Sequence, residues 1–239
     1  MSIKNQIYKT LKSLNYNASC DIIQLALDVE NAYSEHHRYY HNRKHLEDCF
    51  NEFEEVEKKI CFAKLLKFAL MYHDYVYIPK FKRNEEASSL KAEQDAKELG
   101  LSKDDLSVIS HGIAATTHKI QTYTMINLKR FVHNPLYEDS KYIMDIDLCI
   151  LGKDLEEFIA YENNIRKEYW FVDNEVFHEK RKEVLKSFCN RETIYSSKYF
   201  QKKYEKKALK NITYSIEKFH SNGSLHNDRH ASRAPQALR

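Results

Sequence analysis

Histidines crowd the first third of this chain: five of the ten that precede residue 221 lie between His36 and His73. The stretch YHNRKH sets His41 and His45 four residues apart, a spacing that stacks two imidazoles on one face of a helix. Further on, the most apolar stretch of the protein, ICFAKLLKFALMYHDYVYI, carries His73 and Asp74 side by side. A carboxylate in such surroundings is costly unless it is hydrogen-bonded or bound to a cation. IMDIDLCILG then places Asp145 and Asp147 in an equally apolar context. Leu-Cys-Ile-Leu after Asp147 predicts an interior carboxylate. Imidazoles and carboxylates gathered by a helical fold suit Mn, Mg, Fe, Co or Zn, with water completing the shell and no thiolate required. A metal so held polarises a phosphoryl oxygen and acidifies bound water, which suits hydrolysis at phosphorus. Each feature alone has a structural use: the doublet as an ion pair or helix end, the His pair as a solvated face, the aspartates as caps. Their joint order in apolar helices points to a metal.

Several residues could serve the substrate of such a site. Lys119, Arg166 and Arg181 are candidates for holding phosphate, since an anion needs a cationic clamp; surface ion pairs are their ordinary alternative. His118, in IAATTHK, could bind a second metal or a phosphate, and would equally suit a helix C-terminus. His111, seven residues earlier on roughly the same face, is the fallback. Glu85 and Glu86 follow Asn84 and read as the acidic first turn of a helix.

The elements that must position these residues are helical. Asp21 caps a segment with Ile22, Leu25, Ala26 and Val29 on one face. A second helix is expected over 42–59, carrying Leu46, Cys49, Phe50 and Phe53. The apolar stretch should end near Tyr75, because Val76, Tyr77 and Pro79 favour extended backbone. Asn84 starts a helix with Gly100 past its end, and Ser102 with Asp105 repeats a helix-start signature. The pattern lapses through QTYTMINLKRFVHN, read as a loop or lid. It resumes over Tyr142–Leu151, stops at Gly152, returns in LEEFIAYENNIRKEYWFV, and continues from Asp173 to Cys189 and over Lys198–Phe219.

Composition agrees. Four Gly and three Pro in 239 residues are too few for sandwiches, barrels or doubly wound sheets. Thirty-eight Lys and Arg against 35 Asp and Glu give +3, and the last nineteen residues supply two of those charges. The near-neutral body argues against nucleic-acid binding by bulk charge. Five Cys without a CxxC pair suggest reduced, buried thiols. No apolar leader and no long apolar run are present, so a cytoplasmic protein without membrane partners is expected. Residues 1–220 form the expected domain; SNGSLHNDRHASRAPQALR, 221–239, reads as a disordered tail or a vector-derived segment.

The order His45, His73-Asp74, Asp147 resembles the HD superfamily of metal-dependent phosphohydrolases, named for its His-Asp doublet. The resemblance implies an all-α, single-domain helical bundle in which His45, His73, Asp74 and Asp147 hold a catalytic divalent metal ion. YHNRKH is similar to the YHNxxH motif of class I cyclic-nucleotide phosphodiesterases in that superfamily, which implies that His41 is the general acid. In several members an acidic residue after the doublet orients the attacking water, a role implied here for Glu85 or Glu86. FALMYHDYVYIP, NEEAS, ATTH, DIDLCILG, IRKEYWFV and NRETIY are similar to a group of predicted HD phosphohydrolases, and the likeness spans residues 30–215. The chain is shorter than the phosphodiesterase catalytic domain and lacks its purine-selecting glutamine and aromatic clamp, so cyclic-nucleotide hydrolysis does not follow. The expected activity is hydrolysis of a phosphate ester or anhydride of a small phosphorylated molecule, a nucleotide above all. A nucleoside monophosphate, a pyrophosphate-bearing alarmone and a cyclic dinucleotide all fit, and oligomeric state is left open. The alternative is a non-catalytic helical binding module that keeps the metal as support, with seventeen Tyr and twelve Phe as its recognition surface.

Overall fold

Local signals set most of the helix boundaries. The computed structural model describes residues 2–117 and 134–230; the expected loop or lid, apart from Asn134, lies outside the described residues. Among these, ten α-helices and two short 3-10 segments form, with no strand. The first helix, α1 (Ile3–Ser13), buries Gln6, Ile7, Thr10 and Leu11, an i, i+4 stripe. Helix α2 (Ile22–Ala32) is capped by Asp21, which accepts from the Ile23 and Gln24 amides. Helix α3 (Arg43–Val56) is capped by Asn42 and buries His45, Cys49, Phe50 and Phe53.

Helix α4 (Ala63–Tyr72) ends three residues before Tyr75, with His73 as its C-cap. Helix α5 (Asn84–Glu98) is closed by Gly100, whose φ of +84° requires glycine. Helix α6 (Lys103–Ala115) starts with a reciprocal capping box between Ser102 and Asp105. It lies against α4 at Gly112, where an added Cβ would stand 2.7 Å from the Ala69 Cβ.

Helix α7 (Pro135–Asp147) runs into a 3-10 segment (Leu148–Gly152), followed by α8 (Leu155–Glu168), α9 (Asn174–Cys189) and α10 (Lys198–His230). Two buried aspartates of α7 anchor other helices. Asp139 accepts from the amides of Cys61 and Phe62 at the start of α4 (3.0 and 2.8 Å). Asp145 accepts from Ser196 and Ser197 just before α10 (both 2.7 Å). One contiguous apolar core, including Leu11, Val29, Phe50, Phe68, Ile146 and Phe200, joins these helices into a single bundle. No helix among the described residues is long and apolar enough to cross a membrane.

Helix α10 runs on through residues 221–230. One expectation needs correction: only Cys49 and Cys149 of the five free thiols are buried, and Cys61 is exposed, because it stands outside α4 where its amide serves Asp139.

Candidate metal centre

Three segments converge on one point. Helix α3 brings His45 on its buried face, the end of α4 brings His73 and Asp74, and the end of α7 brings Asp147. The Nε2 atoms of His45 and His73 are 3.1 Å apart. Asp74 Oδ2 is 2.9 Å from His73 Nε2 and 3.4 Å from His45 Nε2. Asp147 Oδ1 is 3.4 and 3.3 Å from the same two nitrogens. Donors bound at about 2.0–2.2 Å to one ion stand roughly 2.8–3.1 Å apart at octahedral right angles and about 3.3–3.6 Å apart in a tetrahedron. The observed spacings span those values, so these atoms already lie at coordination distances from one another. Asp145, two residues from Asp147, faces the other way and is spent on α10; burial pushes its pKa up to about 6.

The cluster calls for positive charge. His73 Nδ1 donates to the Leu70 carbonyl at 2.7 Å, which leaves the Nε2 lone pair turned to the centre. Burial depresses both imidazoles, yet their neighbours overcome it. Cys49, Tyr40, Asp147 and Asp74 hold His45 well above its ordinary pKa, and Asp74, Tyr33 and Asp147 do the same for His73. Burial raises Asp74, and His73, His41 and His45 outweigh it to hold the carboxyl well below its usual range. Two facing imidazole nitrogens between two carboxylates bind either protons or a cation. Cys49, one turn beyond His45, adds a sulfur: the donor atoms of His45, Cys49, His73 and Asp147 all lie within 4.8 Å of one another, and this group could hold a metal ion.

His41 stands beside the centre, its ring 5.7 Å from that of His45. Its Nδ1 is 2.7 Å from the Glu168 carboxylate, which also accepts from the amides of Tyr40 and His41 (2.7 and 2.9 Å) and from the Tyr77 hydroxyl (2.8 Å). Burial raises Glu168, and these donors, His41 foremost, bring it below its ordinary value. The imidazole stacks on Tyr77 at 4.1 Å and keeps 21% of its side chain exposed. Arg38, fully buried, binds the carbonyls of Asp74 (2.6 Å), Tyr75 (2.8 Å) and His41 (3.2 Å). It ties the His41 loop to the end of α4.

The other candidates lie elsewhere. Glu86 pairs on the surface with Arg83, and Glu85, partly exposed beside Tyr169, makes no contact with the cluster. Arg181 is not available for phosphate: it is held by Glu162 and the Tyr161 hydroxyl (both 2.6 Å), in a position too enclosed to leave a charge unpaired. Arg166 binds the Asn174 side chain and the carbonyls of Tyr169 and Val172. His111 is bonded to Ser107 on an exposed face. His118 and Lys119 lie outside the described residues. Sequence reading passed over Glu168, Arg38 and Cys49 as site residues. A signal existed for Glu168, since Phe158, Ile165 and Glu168 share the buried face of α8, and for Cys49, four residues from His45.

No protein-family model, curated protein or solved structure matches this chain. What fold and site define is therefore a class: an all-helical protein with a buried His/Asp/Cys cluster that could hold a metal.

Proposed function

We propose that this protein is a divalent-metal-dependent phosphohydrolase of the HD type, acting on a phosphate ester or anhydride of a nucleotide. The observation that carries this reading is the spacing of the His45, His73, Asp74 and Asp147 donor atoms, drawn from three helices to coordination distances, with a carboxylate-held imidazole beside them. A divalent ion bound there would polarise a phosphoryl oxygen and acidify a bound water. Glu168 accepts from His41 Nδ1–H and fixes the ring, so it is the imidazolium form, protonated also on Nε2, that would deliver the Nε2 proton to the leaving oxygen. Arg38 keeps His41 and Asp74 in register. A nucleotide is favoured by the aromatic and basic side chains that flank Glu168 in the chain, where Trp170 is 74% exposed. There Lys167 lies 5.5 Å over the Tyr39 ring and Lys80 4.5 Å over Phe171. Planar faces beside cations suit a base and its phosphates.

The non-catalytic alternative has one observation on its side: Cys49 adds a donor, and a shell closed by protein groups leaves no place for water. Against it stands His41, a part-exposed imidazole held by a buried carboxylate, which a purely structural ion does not need. The test is phosphate release from nucleoside monophosphates, pyrophosphate-bearing alarmones and cyclic dinucleotides with Mn²⁺, Mg²⁺, Co²⁺ and Zn²⁺. Release from at least one class, lost together with the metal in Asp74→Ala, is expected. Loaded protein that hydrolyses none of them sinks the enzymatic reading.

A further inference from the structure

His45, His73 and Asp147 belong to two donor sets at once. Asp74 Oδ2 completes one, an all-nitrogen and oxygen set. Cys49 Sγ completes the other, within 4.8 Å of every partner. That sulfur is fully buried and lies 3.8 Å from His45 Nε2. With metal–sulfur bonds of about 2.3 Å and metal–nitrogen bonds of about 2.0–2.1 Å, tetrahedral ligands S and N stand roughly 3.6 Å apart. The sulfur is about as far from His45 Nδ1 (3.9 Å) as from Nε2, so recruitment requires the Cys49 side chain to turn toward the centre. Hard ions prefer oxygen donors and thiophilic ions prefer thiolate.

We infer that Cys49 is a metal-selecting ligand: hard ions are held by His45, His73, Asp74 and Asp147 with water positions left open, and thiophilic ions recruit the Cys49 sulfur and close the shell. The inference rests on the metal-binding reading of the site. On recruitment the thiol loses its proton to solvent as the metal–sulfur bond forms, with no change of oxidation state. Soft ions thereby bind more tightly but leave less room for substrate and water. Cys149, the other buried thiol and an electrostatic neighbour of Cys49, is the internal control.

The experiment reads the metal itself. Purified full-length protein, stripped by chelator, is loaded with Co²⁺ to one equivalent and its near-ultraviolet absorption recorded. A thiolate-to-cobalt charge-transfer band is expected in the wild type and in Cys149→Ser, and its loss in Cys49→Ser. Zn²⁺ affinity should fall about tenfold or more in Cys49→Ser, while Mn²⁺ affinity stays within about twofold; unchanged Mn²⁺ binding also shows that the variant is folded. Bound Co²⁺ without the band in the wild type overturns the role of Cys49 and leaves the metal site standing. A band that survives Cys49→Ser and disappears in Cys149→Ser also overturns it. If Co²⁺, Zn²⁺ and Mn²⁺ all fail to bind, the metal reading falls and this inference with it.

Discussion

At the scale of single residues, His41 and Glu168 make separable claims. His41 is not among the four closest donors, so His41→Ala should keep its metal yet lose about 10²–10⁴-fold in turnover. Steady-state rates on a natural nucleotide and on a nitrophenyl ester check this, since a nitrophenolate needs little protonation and should suffer least. Unchanged rates on both would return His41 to a structural role. Glu168 bears on stability as well. Its folded pKa lies below the ordinary 4.5, so its carboxylate contributes stability in full above pH 4.5, and this is lost as pH falls through the lowered value. Glu168→Gln exchanges an acceptor for a donor facing Tyr77 or the two amides. It should cost about 1–3 kcal/mol near neutrality, with the gap to wild type narrowing below pH 4.5. Urea unfolding at pH 7 and pH 4 measures it; a gap that does not depend on pH would reject ionisation as the source.

At the scale of elements, the site depends on how α4 is held. Its N-terminus is fixed by Asp139 from α7, its flank by Gly112 of α6, and the carbonyls of Asp74 and Tyr75 just past its end by Arg38. Gly112→Ala places a methyl 2.7 Å from Ala69 Cβ and 2.8 Å from Leu66 Cδ2, both on α4. Overpacking of about 1–3 kcal/mol should exceed the helix-propensity gain of about 1 kcal/mol. A lowered urea midpoint is the expected result, accompanied by weaker metal binding because α4 ends in His73. A midpoint at or above wild type would show that the two helices can separate without cost. Asp145 plays the matching part for α10, while Asp147, two residues on, faces His45 and His73.

At the scale of the whole molecule, a cation at the cluster would join α3, α4 and α7 and should stabilise the entire bundle. An ion that binds only the folded chain, at one hundred times its dissociation constant, contributes about 2.7 kcal/mol. For a domain of this size that is roughly 5–10 °C in Tm. Thermal unfolding with and without Mn²⁺ should show the shift, and Asp147→Ala should abolish it while retaining helical circular dichroism. The single tryptophan offers a second whole-protein measurement. Nucleotide binding should quench Trp170 fluorescence, whereas inorganic phosphate, which carries no base, should leave it unchanged.

Much of this protein is legible one helix at a time. Asp21, Asn42, Ser102 and Asp173 are seen to cap helices where their types and places imply, because a cap satisfies amides two or three residues away. The all-helical class follows from scarce Gly and Pro and from repeated 3.6-residue spacing. The order of His45, the His73-Asp74 doublet and Asp147 in apolar context is likewise visible in the chain, as a cost that something must compensate. Which groups compensate it is a matter of tertiary structure. Asp145 and Asp147 have near-identical neighbours in sequence, and only the approach of Ser196 and Ser197 assigns the first to capping. Arg181 is basic in any reading; Glu162 and Tyr161 decide that it is already paired. Glu168 meets His41 across 127 residues, and neither local spacing nor propensity encodes a contact of that separation. Cys49 shares a helical face with His45 by sequence, but its distance to His73 and Asp147 exists only once α3, α4 and α7 are packed.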